Sequence, residues 1–236
     1  MSRFYTPIEL TVGQTISLPE TVFHHWVRVL RAQQGDTAIL FNGQGGEYTV
    51  QLTHVDKKSA TVDIQHFNSD DRAAAIQVTL GQVMSKGDRM DYAIQKATEL
   101  GVHTIQLLVS ERCEMRLKYD RDQKKIEHWQ QVAIAACEQC GLNLIPQVLP
   151  PISLTDWLAQ CDTPLRLVLA LNASPNPLPH PLPKRVSILV GPEGGLSETE
   201  ITLCESKMFH RWQLGPRVLR TETAPVVALS HLLISC

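Results

Sequence analysis

The feature that most restricts the fold is an alternation, from residue 76 onward, of short apolar runs with longer helix-like segments. Apolar runs predict strands, and the segments between them carry apolar residues at helical spacing or capping residues. The predicted strands are 76–84, 104–109, 165–171, 186–190 and 212–214, and the predicted helices are 88–100, 120–140, a short one after Ser153, one after Ser197, and 221–236. Continuously apolar strands that alternate with helices predict an α/β fold with a parallel sheet covered on both faces.

Local signals mark the ends of two of these helices. Asp88 is placed to cap the helix that follows it, and Gly101 stands where a helix-terminating glycine is common. Ser197 and Glu200 have the spacing of a capping box.

The first 72 residues have a different pattern, which is typical of a small β domain. Two extended runs, 37–41 and 47–53, flank Asn42-Gly43-Gln44-Gly45-Gly46, and Asn-Gly between such runs predicts a β-hairpin. A third strand is predicted at 60–67 and one helix at 20–31. We expect a β-barrel or sandwich over residues 1–72 and a second domain over 73–236.

Composition excludes several classes of protein. The chain has 22 basic and 24 acidic residues, and the net charge of −2 gives no global attraction to nucleic acid or membrane. No apolar run approaches the ~20 residues that span a bilayer, and no secretory signal begins the sequence. Six cysteines in 236 residues do not resemble a disulfide framework. We expect a cytoplasmic protein with reduced thiols, no membrane partner, and only local basic patches for any RNA.

Three loops at predicted strand ends are candidate binding segments, because ligands of open α/β sheets bind beyond the carboxyl ends of strands. They begin at Leu171, Gly191 and Gly215. The segment 191–195 is neither a Rossmann fingerprint nor a P-loop, and no G-x-S-x-G elbow is present. Glycine-rich turns after strands are also common for topological reasons, so both interpretations of 191–195 stay open.

Two further patterns carry possible chemistry. Cys137 and Cys140 form a C-x-x-C pair, a pattern found in thioredoxin-like redox sites and in zinc sites. The pair ends a predicted helix, whereas thiolate activation favours a helix N-terminus. No second C-x-x-C or His pair completes a zinc site. We interpret these cysteines as structural and expect no metal. The stretch 214–224 places Arg217, Arg220 and Glu222 in a loop that enters an apolar helix. Solvated ion pairs explain many such clusters, and a catalytic group is the alternative.

Five ordered motifs give the chain a resemblance to a known family. They are KGDRM with IQKATELGV at 86–102, SERC at 110–113, AACEQCG at 135–141, VGPEGG at 190–195 and LGPRVLRTETA at 214–224. These segments resemble the RsmE family of 16S ribosomal RNA (uracil-N3)-methyltransferases, in the SPOUT superfamily. The resemblance spans nearly the whole chain. It implies a trefoil-knotted methyltransferase domain, a PUA-like N-terminal barrel, a homodimer, S-adenosyl-L-methionine as cofactor, and 16S ribosomal RNA or the small ribosomal subunit as partner.

The resemblance also implies roles for individual residues. Glu222 is the candidate base for uracil N3 and Arg220 the candidate oxyanion or phosphate partner, with Glu193, Arg112 and Glu138 as second choices. The cofactor-binding candidates are Leu169, Ala170, Leu171, Val190, Gly191, Pro192, Glu193, Gly194, Gly195, Leu214, Gly215, Val218, Leu219, Thr223 and Ala224. The RNA-binding candidates are Arg3, Arg28, Arg31, Lys86, Arg89, Arg112 and Arg116.

Two positions depart from the family pattern. Leu142 follows the third motif where the family usually has Arg, so a phosphate contact there would have to come from elsewhere. Pro225 follows the last motif and is tolerable only in a first helical turn. Two other functions stay open from the sequence: a non-catalytic RNA-binding or ribosome-associated module, and an α/β enzyme that binds a nucleotide.

Overall fold

The computed structural model describes residues 1–114, 119–171, 173 and 178–234. The chain divides into two compact units, the first comprising Met1–Ala73 with Cys137–Ile145 and the second Ala74–Ala136 with Pro146–Cys236. The expected boundary after residue 72 differs by one residue from the first division. Segment 137–145, which the sequence analysis placed in the second domain, belongs to the first unit because its side chains pack there on Phe41 and Tyr5.

The first unit is built on a five-stranded sheet in the order β1-β3-β4-β5-β2. Its strands are β1 (Ser2–Tyr5), β2 (Thr15–Ser17), β3 (Thr37–Phe41), β4 (Glu47–Val55) and β5 (Ala60–Asn68). The β3–β4 hairpin predicted from Asn42-Gly43 is confirmed, and Gly43 has a φ of +79°. β1 and β2 are only 4 and 3 residues long, too short to give a periodic signal.

The single helix predicted at 20–31 is irregular. An α-helical turn, α1 (Glu20–Val22), continues as a π-helical segment, Phe23–Val29. The amide of Leu30 donates to the carbonyl of His25, five residues earlier, at 3.0 Å. Because the π-helical winding is wider, Leu30 is rotated away from the buried face that holds Phe23 and Trp26. Leu30 is 50% exposed, although its spacing in the sequence predicted it on that face.

The second unit contains a six-stranded sheet in which every pairing is parallel, in the order β11-β9-β10-β6-β7-β8. Its strands are β6 (Gln77–Val83), β7 (Thr104–Val109), β8 (Gln147–Ser153), β9 (Leu165–Leu169), β10 (Arg185–Val190) and β11 (His210–Trp212). The predicted α/β class with a parallel sheet is confirmed. The last strand lies two residues earlier than predicted.

Helices cover both faces of this sheet. They are α2 (Arg89–Glu99), α3 (Tyr119–Cys140), α4 (Leu154–Gln160), α5 (Glu198–Ser206) and α6 (Ala224–Leu233). One core cluster joins the sheet to α2, α3 and α6, and another joins it to α4 and α5. Gly81 of β6 makes room for Trp157 of α4, because a Cβ there would lie 2.5 Å from the indole.

Strand β8 was missed because Pro150 and Pro151 argue against a strand. It lies at the edge of the sheet, where prolines are tolerated. The β7–β8 register shifts between Gln106 and Leu108, and the Gln106 amide donates to the Pro150 carbonyl at 2.6 Å. A side chain therefore replaces part of the interrupted ladder.

The capping signals had mixed outcomes. Ser197 and Glu200 form the predicted capping box, with both reciprocal bonds present. Asp88 is the residue that precedes α2, as predicted, but its side chain makes no capping bond, since its backbone is already in the helical conformation. α6 begins at Ala224 rather than 221, with Pro225 in its first turn. Residues 235–236 of the predicted helix lie outside the described residues.

Candidate functional site

A cavity of about 680 Å³ opens at the carboxyl ends of β9, β10 and β11. These three strands are neighbours in the sheet, so the loops that follow them meet at one edge. The volume lies within the ~300–1,000 Å³ of typical small-molecule sites. All three loops that the sequence analysis proposed contribute to its wall.

Every predicted cofactor-binding residue except Thr223 lines this cavity, as do Arg220 and Glu222. Thr223 is instead committed to the start of α6: its amide donates to the Arg220 carbonyl at 2.9 Å and its carbonyl accepts from Val227. Several lining residues were not predicted from the sequence: Leu196, Glu198, Ile201, Arg211, Trp212, Arg217 and Thr221. Most of them are next to a predicted loop or lie in the helix that follows it, and this proximity in sequence could have identified them as lining residues.

Two buried polar residues tie the loops of the cavity together. The Thr221 hydroxyl donates to the Gly191 carbonyl at 2.7 Å, and the Gln82 amide donates to the Thr221 hydroxyl at 3.2 Å. The loop before α6 is thereby fixed to the loop after β10 and to the end of β6. Neither residue was predicted as part of the site, although a glutamine near the carboxyl end of a largely apolar strand was a usable signal.

The glycine loop has backbone geometry that other residues rarely adopt. Gly195 has a φ of +67° and its amide donates to the Pro192 carbonyl at 2.9 Å. A Cβ added at Gly195 would meet no atom within 4 Å, so the position is restricted by its left-handed conformation rather than by a steric contact. Gly191 is restricted by space, since a Cβ would lie 3.1 Å from Leu196.

Glu222 combines burial with a polar atom that lacks a partner. It is only 15% exposed, and its Oε2 is buried without a hydrogen-bond partner in the described part of the chain. Two guanidinium groups lie at ion-pair distance: Nε of Arg89 is 4.0 Å from Oε2, and Nη1 of Arg220 is 4.0 Å from Oε1. A buried carboxylate oxygen that lacks a donor can accept a hydrogen bond or proton from a ligand.

Three of the predicted RNA-binding residues converge on the loop after β10. Arg89 pairs with Glu193 at 2.6 Å, and Arg112 donates to the Gly194 carbonyl at 3.0 Å. The Lys86 amide donates to Glu193 at 3.4 Å, while its Nζ pairs with exposed Glu114 at 2.7 Å. Arg116 lies outside the described residues.

The arginines of the first unit separate into two kinds. Arg3 and Arg72 both bind the Glu47 carboxylate, and Arg3 also donates to Asn143 at 2.7 Å. Hydrogen bonds from Arg72 and then Arg3 lower the pKa of Glu47 to about 2, against the opposing effect of burial. Arg3 is therefore corrected from an RNA-binding candidate to a structural residue, because its guanidinium is already engaged and only 13% exposed.

Arg28 and Arg31 remain available in the first unit. Both are exposed at the end of the π-helical segment, and neither has an ion pair or hydrogen bond within the described ranges. Arg28 lies over the Phe23 ring, 5.4 Å from its centroid. These guanidinium groups can meet a phosphate without first breaking an ion pair.

The remaining second-choice residue and the C-x-x-C pair belong to the first unit. Glu138 accepts from the Tyr5 amide at 2.9 Å, and burial raises its pKa. Burial likewise raises the pKa of Cys137 to about 12, which makes its thiol a poor nucleophile. Leu142 packs with Phe41 and Cys137 in a small apolar cluster, so the position where the family usually has Arg is core in this chain.

The same regions match known families. Residues 72–233 match the RNA methyltransferase domain family, and residues 18–65 match the RNA methyltransferase PUA domain family. Ribosomal RNA small subunit methyltransferase E of Buchnera aphidicola (subsp. Schizaphis graminum) is 33% identical over 235 residues, which cover 98% of this chain and 95% of that protein. The chain belongs to the RsmE family. The resemblance inferred from five motifs is thus confirmed.

Two solved structures are similar over almost their whole length. A Legionella pneumophila methyltransferase with bound S-adenosylmethionine has a TM-score of 0.93 and 38% identity, with 99% of this chain and 97% of that chain covered. Small subunit methyltransferase E of Neisseria gonorrhoeae, bound to S-adenosylmethionine, has a TM-score of 0.92 and 38% identity, with 98% and 96% covered. Among the described residues of this chain, no helix is long and apolar enough to cross a membrane.

Proposed function

We propose that this chain transfers a methyl group from S-adenosylmethionine to N3 of a uridine in 16S ribosomal RNA. The observation that carries the proposal is Glu222, whose buried Oε2 lacks a hydrogen-bond partner among the described residues and lies at the wall of the cavity. Two similar family structures hold S-adenosylmethionine, and the chain belongs to a family named for small-subunit ribosomal RNA methylation.

The cavity has the chemistry that this donor requires. Its walls combine apolar side chains such as Leu169, Ile201 and Trp212 with the backbone of two glycine-containing loops. Apolar surface suits an adenine ring, and free backbone groups suit its polar edge. When bound, S-adenosylmethionine supplies a methyl group on a sulfonium sulfur, which leaves as a neutral thioether.

The residues of this chain have to activate the methyl acceptor, uracil N3. Uracil N3 carries a proton and is a poor nucleophile until that proton is removed. Glu222 accepts the N3 proton, the N3–carbon bond forms as the sulfur–carbon bond breaks, and the proton later passes from Glu222 to solvent. Arg220 is 79% exposed, so its guanidinium is free to approach a uracil oxygen, where negative charge develops, or a phosphate.

Substrate binding requires contacts beyond the cavity. N3 lies on the base-pairing edge, so the uridine must be unpaired or flipped out. We assign phosphate contacts to Arg28 and Arg31 of the first unit and to Lys86 and Arg112 of the second, whose charges are exposed. The match of residues 18–65 to an RNA methyltransferase PUA domain supports the first assignment. A ribosomal RNA substrate also favours a cytoplasmic location.

The proposal includes three architectural features of the family. A homodimer is supported by α6, where Val226, Val227 and Leu233 are only partly buried and Ile234 is 65% exposed. A trefoil knot in the second unit is expected from membership of the RsmE family. A PUA-like barrel in the first unit is supported by its five-stranded sheet.

The test is methyl transfer from tritiated S-adenosylmethionine into small ribosomal subunits from a strain that lacks RsmE. We expect the wild-type protein to label 16S RNA, and large subunits serve as the control substrate. A wild-type protein that binds S-adenosylmethionine yet never labels RNA would be a non-catalytic RNA-binding module, and the proposal would fail.

Two variants separate the roles of Glu222 and Arg220. If Glu222 is the base, Glu222→Gln slows single-turnover transfer by ~10²- to 10⁴-fold and regains rate as pH rises toward N3 ionisation. If Glu222 only orients Arg220, high pH restores little and Arg220→Ala is at least as damaging. Wild-type rates in both variants, at saturating donor, would contradict both roles.

A further inference from the structure

Arg89 stands between the two carboxylates of the cavity. Its Nη1 is 2.6 Å from Oε1 of Glu193, and its Nε is 4.0 Å from Oε2 of Glu222. We propose that Arg89 is a positioning residue, which Glu193 anchors and which directs the Glu222 carboxylate toward the substrate. The proposal rests on the catalytic role of Glu222 proposed above.

The anchor is what distinguishes Arg89 from Arg220, although both lie 4.0 Å from Glu222. Arg220 is 79% exposed on a loop, and within the described residues its guanidinium contacts only that carboxylate. Arg89 is the first residue of α2 and is held by Glu193, which also accepts from the Lys86 amide at 3.4 Å. A side chain with fewer accessible rotamers loses less entropy when it holds a partner in place.

The geometry also requires a guanidinium. Nε and Nη1 are different donors of one rigid planar group, and here each faces a different carboxylate. A lysine ammonium is a single point charge and could pair fully with only one of them. The orientation of Oε2 is not fixed by a hydrogen bond from the described residues, which leaves the charge of Arg89 to favour it.

This role differs from the phosphate contact that the sequence analysis assigned to Arg89. A guanidinium whose charge is paired with two carboxylates attracts a phosphate less strongly. The two roles affect different measurements: a positioning residue changes the rate of methyl transfer at saturating RNA, and a phosphate contact changes RNA affinity and its salt dependence.

The experiment is a double-mutant cycle on single-turnover methyl transfer, with saturating S-adenosylmethionine and small subunits. We expect Arg89→Ala to slow transfer ~10- to 100-fold in the wild-type background, as displacement of a reacting group by about 1 Å does. In the Glu222→Gln background the same change should cost no more than ~2-fold, because its effect passes through Glu222. Arg89→Lys should recover only part of the rate.

Two measurements distinguish a loss of positioning in Arg89→Ala from general structural damage. Calorimetry should give a donor dissociation constant for Arg89→Ala within ~3-fold of wild type. Lys96→Ala is the matched control, because Lys96 also lies on α2 but pairs with Glu99 outside the cavity, and it should keep the wild-type rate.

Two results would overturn the inference while leaving the proposed function intact. One is an equal loss from Arg89→Ala in both backgrounds, which would mean that Arg89 acts independently of Glu222. The other is an unchanged rate at saturating RNA with weakened RNA affinity, which would make Arg89 a phosphate contact. Absence of methyl transfer by the wild-type protein would instead overturn the proposed function, and this inference with it.

Discussion

Replacing Glu47 by glutamine should selectively destabilise the first unit. Glu47 lies on β4, and its carboxylate binds two arginines. Arg3 belongs to β1, and Arg72 lies near the end of the stretch Met1–Ala73. Through Arg3 it is also connected to Asn143 in segment 137–145. Glu47→Gln keeps the size of the side chain but leaves two guanidinium groups without their counter-charge.

The magnitude follows from the pKa of Glu47, which its partners lower from 4.5 to about 2. A shift of that size corresponds to about 3 kcal/mol of stability, and the side chain is only 9% exposed, so solvent screens it little. Because the folded-state pKa lies below the unfolded one, this stabilisation is complete above about pH 4.5 and is lost as pH falls toward about 2.

Urea unfolding followed by NMR separates the two units. The indole N–H signal of Trp26 reports the first unit, and those of Trp157 and Trp212 report the second. At pH 7 we expect Glu47→Gln to reduce the unfolding free energy from Trp26 by about 3 kcal/mol. By pH 3 the difference from wild type should shrink to less than about half. Glu9→Gln, which alters an exposed carboxylate of the same unit, should have no such effect.

Two results would refute this reasoning. A difference between Glu47→Gln and wild type that stays constant from pH 7 to pH 3 would show that lost packing, not lost charge, causes the destabilisation. An equal effect from Glu9→Gln would show that any removed carboxylate has the same consequence.

Three further predictions concern the cavity and the surfaces. Gly195→Val should weaken S-adenosylmethionine binding at least ~10-fold by calorimetry, since a β-branched residue is strained at φ +67°; wild-type affinity would contradict this. Light scattering at micromolar concentration should give twice the 26.4 kDa chain mass, and a monomer mass would refute the homodimer. Arg28→Ala with Arg31→Ala should lower the salt dependence of RNA binding by about two units of slope and spare donor affinity, whereas an unchanged slope would remove both arginines from the RNA surface.

The sheet of the second unit could be predicted because its signals are local. Continuous apolar runs identified five of its six strands, and the loops at their ends identified most of the cavity. Local sequence signals fail where the tertiary structure determines whether a segment can be a strand. Pro150 and Pro151 are acceptable only because β8 is an edge strand, and nothing in the local sequence says which strand is at the edge.

The roles of charged residues were harder to predict than their positions. Arg3 and Arg28 look equivalent in the sequence, but Arg3 is held by Glu47 from a strand that is 44 residues away. Arg89 was predicted to bind phosphate as an exposed cation. No sequence pattern shows that its guanidinium lies 2.6 Å from the Glu193 carboxylate. Long-range ion pairs decide which cations remain free, and they depend on how the chain folds rather than on spacing.

Nucleoside mass spectrometry of 16S ribosomal RNA tests the proposed function most directly. Small subunits from a strain that lacks RsmE are incubated with the protein and S-adenosylmethionine carrying a deuterated methyl group, and the RNA is digested to nucleosides. We expect one labelled nucleoside, N3-methyluridine, at up to one equivalent per subunit, and its loss in Glu222→Gln. Label on a ribose hydroxyl, on another base or on another atom of uracil would contradict the assignment of Glu222 as the base for N3.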